Sequence, residues 1–260
     1  MTDQKVSEWI WHVDALKSTP SVLAGLNKDQ ELLYRREGIK LISEVGNALN
    51  CKPRPTIGVA AVYFHRFYMM HGFQTFAREL IALGCLFLAG KVEDFPKKCK
   101  DVCAAAHSLY PEIFAKYPNL VDDVMGTERL LLHCLKFDLQ VGLPYDALME
   151  YKTMFPDMSR DQITDAVQIA WTFINDSIYT TLSITTEPQM IAIALLHLAF
   201  TVKGYQPVQQ NMDPCWWSAD VSNWPPQSVD KACHLVLDFY AATKEHPILS
   251  AKKLTVYGAF

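Results

Sequence analysis

The chain has 260 residues, half of them apolar, and sets 24 Lys and Arg against 28 Asp and Glu for a formal charge of -4. That balance excludes a global attraction to nucleic acid or to an anionic membrane, so binding of either kind needs a local patch. A globule of this length buries roughly 75% of its unfolded surface, and core size does not limit the fold.

The opening Met-Thr-Asp-Gln-Lys-Val-Ser-Glu-Trp has neither the basic end nor the apolar centre of a signal peptide. Spanning a bilayer takes about 20 apolar residues, more than Leu80 to Gly90 or Ile191 to Phe200 supplies. The cysteines Cys51, Cys85, Cys99, Cys103, Cys134, Cys215 and Cys233 are scattered, several of them inside apolar helical runs where free thiols behave as small hydrophobes. The expectation is a soluble, intracellular protein in a reducing compartment, without disulfides.

Residues 9 to 26 carry Trp9, Trp11, Leu16, Leu23 and Leu26 around Ser18-Thr19-Pro20-Ser21, a cap-like stretch able to open a helical turn. They read as an N-terminal arm laid on a core. From Asp29 to Leu49, Leu32, Leu33, Ile39, Ile42, Val45 and Leu49 follow helical spacing, with Asn27 or Asp29 as the cap. Pro53 and Pro55 interrupt the pattern, and Thr56 is expected to cap a second helix running to about His71. The third helix, Leu80 to Glu93, has no charge for eleven residues, so neighbours must surround it. Ala82, Gly84, Ala89 and Gly90 give those neighbours room, and the run ends at Lys91-Val92-Glu93-Asp94 before Pro96. Lys97 to Leu109 predicts an amphipathic fourth helix and Leu120 to Lys136 a fifth, after which Gly142-Leu143-Pro144 forms a short linker.

Beyond the linker the chain repeats itself. Ile81 to Ala89 aligns with Ile191 to Ala199 without a gap, and Tyr63 to Arg66 with Phe173 to Asp176, both at an offset of 110 residues. Duplication of a roughly five-helix bundle around an all-apolar third helix follows. No sustained alternation bounded by turn residues is present, so the class is all-α.

Two tandem repeats with a buried third helix ending in Lys-x-Glu resemble the cyclin box fold. Tyr34-Arg35-Arg36-Glu37-Gly38, Tyr63 to Met69, Cys85 to Glu93, Pro96 to Asp101, Lys136 to Val141 and Ala170 to Ser177 resemble the transcriptional type of the cyclin family, the cyclin K group first and the cyclin T group next. The resemblance covers about residues 9 to 243. It implies an N-terminal arm over 9–30, a first cyclin box over 31–141, a second over 144–243 and a tail over 244–260.

The resemblance further implies a non-catalytic, nuclear protein that binds and activates a cyclin-dependent kinase acting on the C-terminal repeats of RNA polymerase II during elongation. In the family a third-helix lysine and a fifth-helix glutamate hydrogen-bond the kinase backbone beside its regulatory helix, and these fall on Lys91 and Glu128. Glu93 and Asp94 flank that lysine, although the family pattern prefers Glu where Asp94 stands. Phe137 matches an aromatic that packs on the kinase. Read without the family, Lys91 neutralises the negative end of its helix and Glu128 is an exposed carboxylate. Lys97, Lys98 and Lys100 read as a solvated face or as kinase or phosphate contacts. The family's hydrophobic docking patch, Met-Arg-Ala-Ile-Leu in type, is replaced by Tyr34 to Gly38, which predicts no binding of arginine-x-leucine docking peptides.

Other constellations carry less. Cys99, Cys103 and His107 share a side of the fourth helix, but one helix cannot wrap a tetrahedral ion, so no metal and no cofactor are expected. His133-Cys134 and Cys233-His234 point to opposite helix faces, and no phosphate loop or hydrolase motif occurs. His65 and Arg66 read as a buried node locking helices together. Trp216, Trp217 and Trp224 either plug the second repeat or form an aromatic peptide ledge. Two rival readings are a general transcription factor of cyclin fold, with Arg35, Arg36, Lys40 and Lys97 to Lys100 as its DNA-binding surface, and a scaffold of the pocket-protein kind. The acidic total opposes DNA binding.

Overall fold

A computed structural model describes residues 8–51, 53–155, 158–206 and 227–245, and every regular element among them is helical. The chain divides into two compact units, residues 1–142 and 143–260. In the first, a 3-10 turn (Val13–Lys17) and α1 (Pro20–Leu23) precede α2 (Lys28–Ala48), α3 (Gly58–Met70), α4 (Arg78–Val92), α5 (Cys99–Leu109), α6 (Pro111–Phe114) and α7 (Leu120–Cys134). The second contains α8 (Pro144–Tyr151), α9 (Arg160–Ser177), α10 (Leu182–Thr185), α11 (Pro188–Lys203) and α12 (Gln227–Glu245).

The ends of these helices follow local chemistry. Thr19 caps α1 by accepting from the Val22 amide, and Asn27 caps α2 by accepting from that of Asp29 at 3.1 Å. Asp29 and Glu31 then lie in the first turn of α2, where negative charge suits the helix dipole. The expected Thr56 cap is not formed. The backbone is already wound in a π-helical turn over Pro53–Ile57, and Ile57, before α3, has right-handed helical torsions instead of the extended ones that a cap needs. The Thr56 hydroxyl is buried without a hydrogen-bond partner among the described residues.

Helix α4 is the axis of the first unit. Every residue from Ile81 to Gly90 is buried, and α2, α3, α5 and α7 pack around it. Gly84 sets how near α7 can come: a Cβ there would lie 2.4 Å from Thr127 Cγ2 and 3.2 Å from Leu131 Cδ1. Gly38 does the same for α2 against α3, since a Cβ would meet Phe64 Cζ at 2.0 Å. The close packing of α4 on α7 brings the last turn of α4 within side-chain reach of Glu128.

Helix α11 holds the matching place in the second unit. Met190 to Leu196 and Leu198 to Phe200 are buried, and α8, α9 and α12 pack around the helix. A Ser159–Gln162 capping box starts α9, and Gly204 in the left-handed region ends α11. Tyr145, Leu148, Ile174, Leu195, Phe200 and Val236 belong to one apolar core. Trp216, Trp217, Trp224, Cys215 and the tail beyond Glu245 lie outside the described residues. Among those described, no helix is long and apolar enough to cross a membrane, and the six cysteines are free thiols.

Candidate functional site

Lys91 lies in the last turn of α4, where a cation complements the carbonyl end of the helix. Its ammonium also does more. Nζ donates to both carboxylate oxygens of Glu128, at 2.7 and 3.0 Å, and stands 4.2 Å from the centre of the Phe87 ring. The Lys91 side chain is 45% exposed and that of Glu128 14%, so the pair forms an edge open to solvent on one side. An exposed ion pair contributes about 0–1 kcal/mol to stability. Folding therefore gains little from this pair.

Beyond Lys91 the chain turns sharply. The Glu93 amide bonds the Ala89 carbonyl, Asp94 adopts φ 51°, and the Phe95 amide reaches back to Gly90 at 2.9 Å, which is a Schellman closure with Asp94 in the place glycine usually takes. Glu93 is half-buried there. Burial, helped by the neighbouring Asp94 charge, raises its pKa. Asp94 is exposed, and Lys98, also exposed, precedes the first turn of α5. Lys97 turns away over the Phe95 ring, 4.2 Å from its centre.

The expected fifth helix stops two residues early. Helix α7 ends at Cys134, and both Lys136 (φ 53°) and Phe137 (φ 57°) are left-handed, so Phe137 follows the helix instead of closing it. For L residues that region costs roughly 1–2 kcal/mol each, and strain of this kind clusters at functional sites. Three of the four non-glycine residues with positive φ among those described are Asp94, Lys136 and Phe137. The turn leaves the Phe137 ring 70% exposed.

Several ties hold that turn. Glu8 forms an ion pair with Lys136, and the Trp9 indole N–H donates to Asp138 Oδ2 at 2.8 Å. The buried Tyr63 hydroxyl donates to the Leu139 carbonyl, and burial, with the charges of Glu93 and Asp138, pushes its pKa up. Tyr63 thus ties α3 to the segment after α7. Arg66 lies beneath Trp9, 4.8 Å from the ring, and burial lowers its pKa to about 10 against the opposing pull of Asp138. In each of these bonds the two partners lie far apart in sequence. Trp9 lies on a core as the N-terminal arm is expected to, but its partner Asp138 is 129 residues away and carries no local signal.

The buried node expected at His65 and Arg66 includes His65, whose ring and carbonyl both face Arg35, but its centre is Arg35 and Arg66 lies instead against Trp9. The Arg35 guanidinium donates to Glu31 Oε1 from Nε (3.0 Å) and Nη2 (2.8 Å), to the His65 carbonyl at 3.1 Å and to the Tyr68 carbonyl at 2.8 Å. The residue is 1% exposed, which removes it from the basic DNA-binding surface that a rival reading required. Glu31 and Arg35 are spaced i, i+4, a signal visible in the sequence. Among the described residues no three His, Cys, Asp or Glu side chains converge as metal ligands.

The cyclin N-terminal domain family matches residues 8–140, half of the chain and every helix of the first unit. The chain belongs to the cyclin family. It is 41% identical over 244 residues to Cyclin-K of Homo sapiens, an alignment covering 91% of this chain and 41% of that protein. To Cyclin-T1 of Equus caballus it is 30% identical over 243 residues, covering 90% of this chain and 33% of that one. The chain therefore spans less than half the length of these relatives. A solved chain in the yeast RNA Pol II CTD kinase CTDK-1 complex superposes with a TM-score of 0.67 at 19% identity, covering 89% of this chain and 71% of its own. That likeness is one of fold and reaches into the second unit.

Proposed function

We propose that this cyclin is the regulatory subunit of a transcriptional cyclin-dependent kinase, which it holds in active form to phosphorylate the C-terminal domain of RNA polymerase II during elongation, in the nucleus. The observation that carries this is the solvent-facing Lys91–Glu128 pair on the same rim as Glu93 and the strained turn that bares Phe137. The likeness to Cyclin-K and Cyclin-T1 supports the transcriptional assignment.

A protein kinase needs an ion pair between a strand lysine and the glutamate of its regulatory helix. A partner that binds only the inward position of that helix raises the active population by its differential affinity, and moving the ratio from about 1:99 to 99:1 takes about 5.5 kcal/mol. Lys91 spends two N–H groups on Glu128 and retains a third for a kinase carbonyl, while the Glu128 oxygens keep lone pairs for a backbone N–H. Glu93 and Asp94 extend this polar edge, Lys97 and Lys98 flank it, and Phe137 supplies an apolar contact. The whole contact should bury on the order of 1,200–2,000 Å². The cyclin itself breaks no bond.

Affinity purification of the tagged chain from cell extract, with identification of the co-purifying kinase, tests the proposal. Recovery of a kinase that phosphorylates polymerase C-terminal repeats is expected. Salt-dependent DNA binding without any kinase partner would overturn it.

A further inference from the structure

The proposed kinase contact gives no role to the first residues of the chain, yet they reach the most strained part of the rim. Glu8 and Trp9 are consecutive, and they grip Lys136 and Asp138, the residues immediately before and after Phe137. We infer that Trp9 is a positioning residue for the partner-binding surface: its indole N–H, bonded to Asp138, holds the turn that presents Phe137. The inference rests on the reading of Phe137 as a kinase contact.

The geometry favours a positioning role over simple packing. Lys136 and Phe137 are successive left-handed residues, neither of them glycine, so the turn has no intrinsic preference for its shape and relaxes unless tied on both sides. Trp9 is 3% exposed and sits on Arg66, which is itself 6% exposed, with Nε and Nη1 lacking hydrogen-bond partners among the described residues. Arg66 therefore acts there as a charge beneath the ring and toward Asp138. Asp138 is in this way shared between the indole N–H and the buried cation. The ring of Phe137, by contrast, is 70% exposed. Orientation of the ring comes from its backbone, and the backbone is held from residues 8 and 9.

Trp9→Phe removes the N–H and keeps an aromatic ring over Arg66. Hydrogen–deuterium exchange on the full chain should show faster exchange over residues 136–139 in this variant, with exchange in α4 unchanged. Unchanged protection at 136–139 would overturn the inference. Affinity for the kinase subunit captured by the parent chain should fall at least about tenfold, the value of one hydrogen bond to a charged acceptor. Phe137→Ala should also weaken binding, and the double variant should lose little more than Phe137→Ala alone, because both changes act through one ring. Weak binding by Phe137→Ala with full binding by Trp9→Phe, or fully additive losses, would remove the positioning role alone. Full binding by Phe137→Ala would remove the contact reading itself and the positioning role with it.

Discussion

Replacing Glu31 by alanine should unfold this cyclin far more readily than replacing Glu31 and Arg35 together. The Glu31 carboxylate takes two N–H bonds from Arg35, at 3.0 and 2.8 Å, and one from the Thr19 hydroxyl, which ties α1 to α2. Without it, Arg35 keeps the His65 and Tyr68 carbonyls but has lost its counter-charge while only 1% exposed. Removing one partner of a buried pair costs about 3–5 kcal/mol, whereas replacing both by apolar residues of similar volume is neutral or stabilising by about 1–4 kcal/mol. At about 2–4 °C per kcal/mol for a chain of this size, Glu31→Ala should lower the melting midpoint by roughly 6–20 °C. Urea unfolding followed by circular dichroism measures both variants. A loss under about 1 kcal/mol for Glu31→Ala, or a Glu31→Leu/Arg35→Met variant less stable than the single one, would refute the account of this network.

Two further predictions concern the second unit and the surface of α2. Burial raises the Asp176 pKa to about 6 from its usual 3.8, against a 2.6 Å hydrogen bond donated by Tyr240. The folded state therefore holds a proton that the unfolded chain releases, so stability falls as pH rises from about 4 to about 6, by about 3 kcal/mol in all, and is level above that. Asp176→Asn should flatten this dependence; an unaltered pH profile of urea unfolding would count against it. An arginine-x-leucine docking peptide titrated by fluorescence anisotropy should give no saturable signal. Arg35 is buried, Tyr34 lies under the Arg78 guanidinium at 4.4 Å, and Glu37 pairs with Arg78 at 2.8 Å, so charged groups occupy the stretch where an apolar docking patch would stand. Saturation competed away by substitutions at these residues would contradict that.

The central helices were legible because their signal is local. An apolar run with small residues can only be surrounded, and α4 and α11 both are. The all-α class follows from the same periodicity. Thr56 reads as a cap because a proline-rich approach looks like a fresh start, while the backbone joins it to α3 through a π turn. The DNA-binding alternative places Arg35 on the surface by its charge, whereas Glu31 one turn earlier marks it as a paired, buried cation. At the rim, Lys91 and Glu128 were picked out through the family resemblance, but their bond to each other was not legible, since 37 residues separate them. The turn at Phe137 left no trace in the sequence at all. Left-handed backbone is advertised by glycine, and neither Lys136 nor Phe137 is one.

The most direct test of the central claim replaces Lys91 and Glu128 together by alanine and measures how far the chain stimulates its co-purifying kinase on polymerase C-terminal repeats. Because the exposed pair contributes no more than about 1 kcal/mol to folding, the melting midpoint should move by only a few degrees. Stimulation should drop at least about tenfold, as for contacts at the centre of an interface. A well-folded double variant that stimulates the kinase as fully as the parent would contradict the account.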